Sequence, residues 1–152
     1  MTLSQPSDAS PAAEKFDFKA SQPAAERMRA VLIVDDDEMV RRVSSRMLSG
    51  NDILVAESGD EACRVLRELG NEPVDCVLLD MKMPGLSFEE SFECIRKIRP
   101  DLPVVACSGN GPHSVGRDFY DTPRTGFLGK PFTRQELNDA IDRAILGSGA
   151  GD

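Results

Sequence analysis

Four short apolar runs in this chain each end on a side chain suited to phosphate or metal chemistry. Val31-Leu32-Ile33-Val34 leads into Asp35-Asp36, Val77-Leu78-Leu79 into Asp80, Val104-Val105-Ala106-Cys107 into Ser108, and Gly126-Phe127-Leu128-Gly129 into Lys130-Pro131. Carboxylates gathered at one place repel by ~4 kcal/mol per pair at ~4 Å and an effective dielectric of ~20, so a proton or a cation must neutralise them. A set of oxygen donors without Cys or His ligand spacing matches Mg²⁺. Phosphoryl transfer depends mainly on positioning and charge neutralisation, and Asp is a nucleophile able to form an aspartyl phosphate. On this division of labour Asp80 is the nucleophile, Asp35 and Asp36 hold the metal, and Ser108 and Lys130 donate to the phosphoryl oxygens. Taken singly, each has a plainer reading: an N-cap, a turn residue or a solvated charge. Asp37 is expected to cap a helix.

The elements that must position these groups can be read from periodicity. Short β-branched runs separated by helical patterns read as buried parallel strands, whose carboxyl ends line ligand sites in open α/β sheets. Strands are expected at Val31–Val34, Ile53–Ala56, Val74–Asp80, Pro103–Cys107 and Gly126–Gly129. Val40, Val43, Met47 and Leu48 mark the first helix, with Gly50 just past its end. Ser58-x-x-Glu61, Ser87-x-x-Glu90 and Thr133-x-x-Glu136 each read as a capping box opening a later helix. The fourth helix is the weak one: between Ser108 and Phe127 stand Gly109, Gly111, Pro112, Gly116, Pro123 and Gly126, leaving only about His113–Tyr120 with helical character. Right-handed crossovers then give a flavodoxin-like (βα)5 doubly wound α/β sandwich, its parallel sheet ordered 2-1-3-4-5. That order brings the ends of strands one and three together, and with them Asp35, Asp36 and Asp80.

Bulk properties exclude several function classes. The formal net charge is −8, and because residues 1–29 hold four acidic and four basic side chains, the excess lies beyond them. An acidic domain without a basic stripe is poorly suited to direct DNA or RNA binding. No stretch approaches the roughly 20 apolar residues of a membrane span, and no signal peptide pattern opens the chain, so the expected compartment is the cytoplasm. Cys63, Cys76, Cys94 and Cys107 lack metal-ligand spacing and are expected to be reduced, mostly buried thiols. His113 reads as an exposed loop histidine. Residues 1–29 read as a disordered leader, 30–146 as the folded domain and 147–152 as a frayed tail.

The segments Val31 to Glu38, Leu78 to Gly85, Cys107-Ser108-Gly109 and Lys130-Pro131-Phe132 together resemble the receiver domain of two-component response regulators, over Ala30 to about Leu146. The resemblance implies that Asp80 accepts a phosphoryl group from a histidine kinase or a histidine phosphotransfer protein. It implies that Asp36 binds Mg²⁺ directly and Asp35 largely through water, with Asp80 and the main-chain carbonyl of Lys82 completing the set. Ser108 becomes the switch hydroxyl, Phe127 the switch aromatic, and Pro131 the site of a cis peptide bond that aims Lys130 at Asp80. Lys82, Gly109 and Asn110 fall at positions that tune how fast water reaches the phosphoryl group.

Two departures stand out. Phe127 lacks the hydroxyl of the tyrosine often found there, and Leu86-Ser87-Phe88 replaces a common Met/Asp/Gly-type turn, while Ile98 to Pro103 resembles receivers of hybrid sensor kinases. The expected role is a stand-alone phosphorylation switch that signals through the face of helix four, strand five and helix five to a downstream protein. A phosphate shuttle or sink is the related alternative. An aspartyl-phosphate phosphatase, hinted at by Asp35-x-Asp37, and an interaction module that has lost phosphorylation are alternatives of other classes.

Overall fold

The computed structural model describes residues 28–147. Five parallel strands form one sheet ordered β2-β1-β3-β4-β5: β1 Ala30–Val34, β2 Asp52–Ala56, β3 Cys76–Asp80, β4 Val104–Ser108 and β5 Thr125–Gly129. Between and after them run α1 (Glu38–Met47), α2 (Gly59–Leu69), α3 (Phe88–Ile98), α4 (Arg117–Asp121) and α5 (Arg134–Ile145). The flavodoxin-like order expected from the sequence is the observed one.

Strand side chains alternate between two apolar layers, as the period of two requires. Leu32, Val34, Val77, Leu79, Val104 and Ala106 pack with α2, α3 and α4. Val31, Ile33, Cys76, Leu78, Val105 and Cys107 pack on the other face with Leu137, Ala140, Ile141 and Ala144 of α5. Both faces are covered, which explains why the three central strands are continuous apolar runs rather than alternating ones.

Local details refine the sequence reading. β3 begins at Cys76, later than Val74; just before it, the Asp75 carboxylate accepts from the Ala30 N–H at 2.7 Å. α1 buries Ser44, and its C-cap Leu48 is buried as well, whereas Val43 is exposed. Ser87 with Glu90 and Thr133 with Glu136 make reciprocal capping boxes. At α2, Ser58 caps Glu61 N–H, but the Glu61 carboxylate accepts from Glu57 N–H at 2.6 Å and not from Ser58. Asp37 caps α1, accepting from Met39 N–H at 2.9 Å.

The weak fourth helix is indeed short, a 3₁₀ turn at Pro112–Ser114 followed by the five residues of α4, neither with a side-chain cap. Two contacts hold it. Phe119 is buried in an aromatic cluster with Phe88 and Phe92, ring centres 5.2 and 4.9 Å away. Arg96 of α3 lies over Phe92 and donates to the carbonyls of Leu102, Pro123 and Arg124 at 2.7–2.9 Å.

The leader expected at 1–29 and the tail at 147–152 fall almost wholly outside the described residues. Arg29 itself is engaged: its carbonyl accepts from Asp52 N–H at 2.8 Å and its guanidinium pairs with Asp142. Among the described residues no helix is long and apolar enough to cross a membrane. The four cysteines are free thiols, Cys94 half-buried and the others buried, and His113 is exposed.

Candidate functional site

Strand parity decides which groups meet. Asp35 continues the β1 series Val31, Ile33, and Asp80 the β3 series Cys76, Leu78, so both emerge on the α1/α5 side of the sheet. Lys130 follows β5 two residues after Leu128, which packs on that same side. The three converge: Lys130 Nζ donates to Asp35 Oδ2 at 2.8 Å and to Asp80 Oδ1 at 2.9 Å. The Lys130–Pro131 peptide is cis.

Asp35 is held from several sides. Its Oδ1 accepts from Asp37 N–H at 2.9 Å, and its carbonyl accepts from Arg41 of α1 at 2.7 Å. Asp36, next in line, is exposed. One oxygen from each of Asp35, Asp36 and Asp80 lies within 4.8 Å of the other two.

Asp35 and Asp80 are both buried, at 3% and 5% exposure, and a single ammonium serves them. Burial raises the Asp80 carboxyl above its ordinary value, the hydrogen bond from Lys130 opposes this, and the charge of Asp35 adds to the rise. The main-chain N–H of Lys82 also bonds the Asp80 carboxylate, while the Lys82 side chain is exposed. Burial would lower the Lys130 ammonium, but its bonds to Asp35 and Asp80 outweigh that and the net shift is upward. Three carboxylates against one ammonium leave a net negative pocket of oxygen donors, and this fits a hard divalent cation such as Mg²⁺.

Ser108 has the opposite parity, with Val104 and Ala106, and so emerges toward α3 and α4. It is buried, and its Oγ accepts from Asn110 N–H at 2.9 Å and from Ser114 Oγ at 3.4 Å. Its carbonyl accepts from Lys130 N–H at 2.8 Å, joining the ends of β4 and β5. Gly109 and Asn110 are exposed on the loop that follows. Phe127 is half-buried against the α2/α3/α4 layer.

Two residues at the site escaped the sequence reading. Ser114 sits in the 3₁₀ turn, donating to Gly111 O at 2.6 Å while also touching Ser108 and Met81 Sδ. Arg41 braces the acidic loop. Neither belongs to a run or a motif, and only tertiary packing brings them in.

The comparisons with known proteins agree with this geometry. The profile of the response regulator receiver domain matches residues 31–142. The sensor kinase CckA of Brucella abortus is 32% identical over 117 residues, covering 76% of this chain and 12% of that protein. The transcriptional regulatory protein GlrR of Escherichia coli is 34% identical over 119 residues, covering 76% of this chain and 26% of that protein. The chain thus spans about a quarter or less of the length of such relatives. A receiver domain protein from Clostridium thermocellum superposes with a TM-score of 0.69 at 30% identity, covering 78% of this chain and 95% of that one. The receiver domain of the hybrid histidine kinase CckA gives 0.62 at 25% identity, covering 76% and 98%. The chain belongs to the response regulator receiver family.

Proposed function

We propose that this receiver accepts a phosphoryl group on Asp80 from a histidine kinase or a histidine phosphotransfer protein and passes the signal on through protein contacts. The observation that carries this reading is the buried Asp80 carboxylate, bonded by Lys130 at 2.9 Å beside a second carboxylate that shares the same ammonium. An Asp80 oxygen attacks phosphorus, the P–N bond of a phosphohistidine breaks, and the imidazole leaves with its electron pair. Lys130 holds the acceptor in place and neutralises charge that grows on the phosphoryl oxygens. Ser108 stands at the end of the neighbouring strand as a hydroxyl donor to the same oxygens.

Asp35, Asp36, Asp80 and the main chain of Lys82 are the residues that would hold Mg²⁺, which supplies further neutralisation of phosphoryl charge when bound. For Ser108 to serve the phosphoryl group, its hydroxyl turns away from Asn110 and Ser114, and this loosens the hold of β4 on the α4 segment. The half-buried Phe127 and the face of α4, β5 and α5 are where we place the resulting change. The side chains of Lys82 and Asn110, with the backbone at Gly109, then control the access of water and the lifetime of the signal.

Intact-mass measurement after incubation with Mg²⁺ and a small phosphodonor tests the central step. Wild-type protein gains one phosphoryl group and Asp80→Asn gains none; equal gains on the two proteins would refute it.

A further inference from the structure

The α2–α3 seam carries a feature unrelated to phosphorylation. Both helices follow parallel strands and cover the same sheet face, so they run side by side in the same direction. They approach tightly at Gly59 and Ser91, where a Cβ on Gly59 would fall 2.8 Å from the Ser91 Cβ. One helical turn further along each helix stand Cys63, four residues after Gly59, and Cys94, three residues after Ser91. Helical stepping keeps both on the contacting stripe, in the next layer of the seam. Arg67, a turn beyond Cys63 on α2, confirms that layer by reaching Cys94 Sγ at 3.6 Å.

The two thiols differ in a way that orders their chemistry. Cys63 is buried, and burial first, then the adjacent Cys94 thiol, push it up to about 12. At neutral pH it stays protonated. Cys94 is half-buried, open to small reagents, and lies against the Arg67 guanidinium. The other two cysteines cannot substitute. Cys76 and Cys107 are buried in the other apolar layer, across the sheet from Cys63 and Cys94.

We propose that Cys63 and Cys94 are an oxidative modification site, closing to an intramolecular disulfide that staples α2 to α3 when the protein meets a hydroperoxide. The Cys94 thiolate attacks the peroxide, the O–O bond breaks, and Cys94 becomes a sulfenic acid as one oxygen leaves as hydroxide, which is protonated to water (or an alcohol). The Cys63 sulfur then attacks the Cys94 sulfur; the S–S bond forms, the S–O bond breaks, and the departing hydroxide takes the Cys63 proton as a second water. Two thiols are oxidised by two electrons and one peroxide is reduced.

The test treats the reduced 152-residue chain with hydrogen peroxide, blocks remaining thiols and measures intact mass without reductant, followed by peptide mapping. The expected result is the loss of two hydrogens, a Cys63–Cys94 crosslink, and two alkylatable thiols at Cys76 and Cys107. Cys94→Ser, at a half-exposed position that tolerates it, abolishes the mass loss. Cys63→Ala, once circular dichroism shows it folded, leaves a sulfenic acid on Cys94 that a dimedone-type reagent captures. A crosslink between two molecules, a bridge to Cys76 or Cys107, or further oxidation of Cys94 with Cys63 still alkylatable would each overturn the proposal.

Discussion

Lys130 reaches Asp80 at 2.9 Å from a strand two places away in the sheet, and it does so while bonded to Asp35 at 2.8 Å. The ammonium therefore occupies space where a second cation would otherwise be drawn. Replacing it by Met removes a donor to the phosphoryl group and also removes a positive charge beside the metal donors. Phosphoryl incorporation is expected to fall at least tenfold, about 1.4 kcal/mol. Mg²⁺ affinity, read by calorimetry, should stay level or rise. A Lys130→Met protein that lost both together would show Lys130 to be a structural strut for the acidic loop.

Asp80 is ionised at a cost to the fold. Its folded-state value is raised by burial and by Asp35, so the protonated form is favoured on folding, and the stability this confers is lost as pH rises through the raised value. Asp80→Asn removes that cost and is expected to stabilise the metal-free protein at neutral pH. Urea unfolding with chelator present gives the comparison, and the gain should shrink toward acid pH.

Ser91 Oγ is buried with no hydrogen-bond partner among the described residues, and a Cβ at Gly59 would lie 2.0 Å from it. Gly59→Ala is expected to cost ~1–3 kcal/mol by overpacking. Ser91→Ala should be neutral or stabilising by about 1 kcal/mol, since it deletes an unpaired hydroxyl. The double variant recovers only part of the loss, because the 2.8 Å Cβ contact persists. Additive single effects in chemical denaturation would contradict this coupling.

Arg96 bonds the Leu102 carbonyl just ahead of β4 and the Pro123 and Arg124 carbonyls that follow α4. Arg96→Met keeps the apolar stem and removes the fork, with an expected loss of ~1.5–3 kcal/mol. Hydrogen exchange should accelerate mainly across residues 112–125, leaving β1 and β3 protected.

A phosphoryl mimic offers the complementary measurement. The short, uncapped α4 has room to become more ordered, and exchange is expected to slow across residues 112–121 when the mimic binds. The Asn110 amide should instead speed up, because its acceptor, Ser108 Oγ, turns to the mimic. Unchanged exchange at both places would remove α4 from the signalling route.

Much of this arrangement was legible because the apolar runs are short and end abruptly. Once Val31–Val34 and Val77–Leu79 are read as neighbouring strands, Asp35 and Asp80 must share an edge. Ser44 in the α1 stripe was not legible, since a serine carries no apolar signal and Val43 does. The reach of Glu61 past Ser58 to Glu57 depends on the turn leaving β2, which no local motif encodes. Ser114 and Arg41 are brought to the site by loop and helix packing and leave no periodic trace.

The alternation of side chains along β1, β3, β4 and β5 has a final consequence for how this site tolerates change. Asp35, Asp80 and Lys130 share one parity and Ser108 has the other, so their meeting is set by whole residues rather than by fine adjustment. A one-residue slip of β3 against β1 would not displace Asp80 slightly but would turn it to the opposite side of the sheet. Evolution can therefore lengthen or reshape the connecting loops gradually, whereas within the strands this site is kept or lost in single steps.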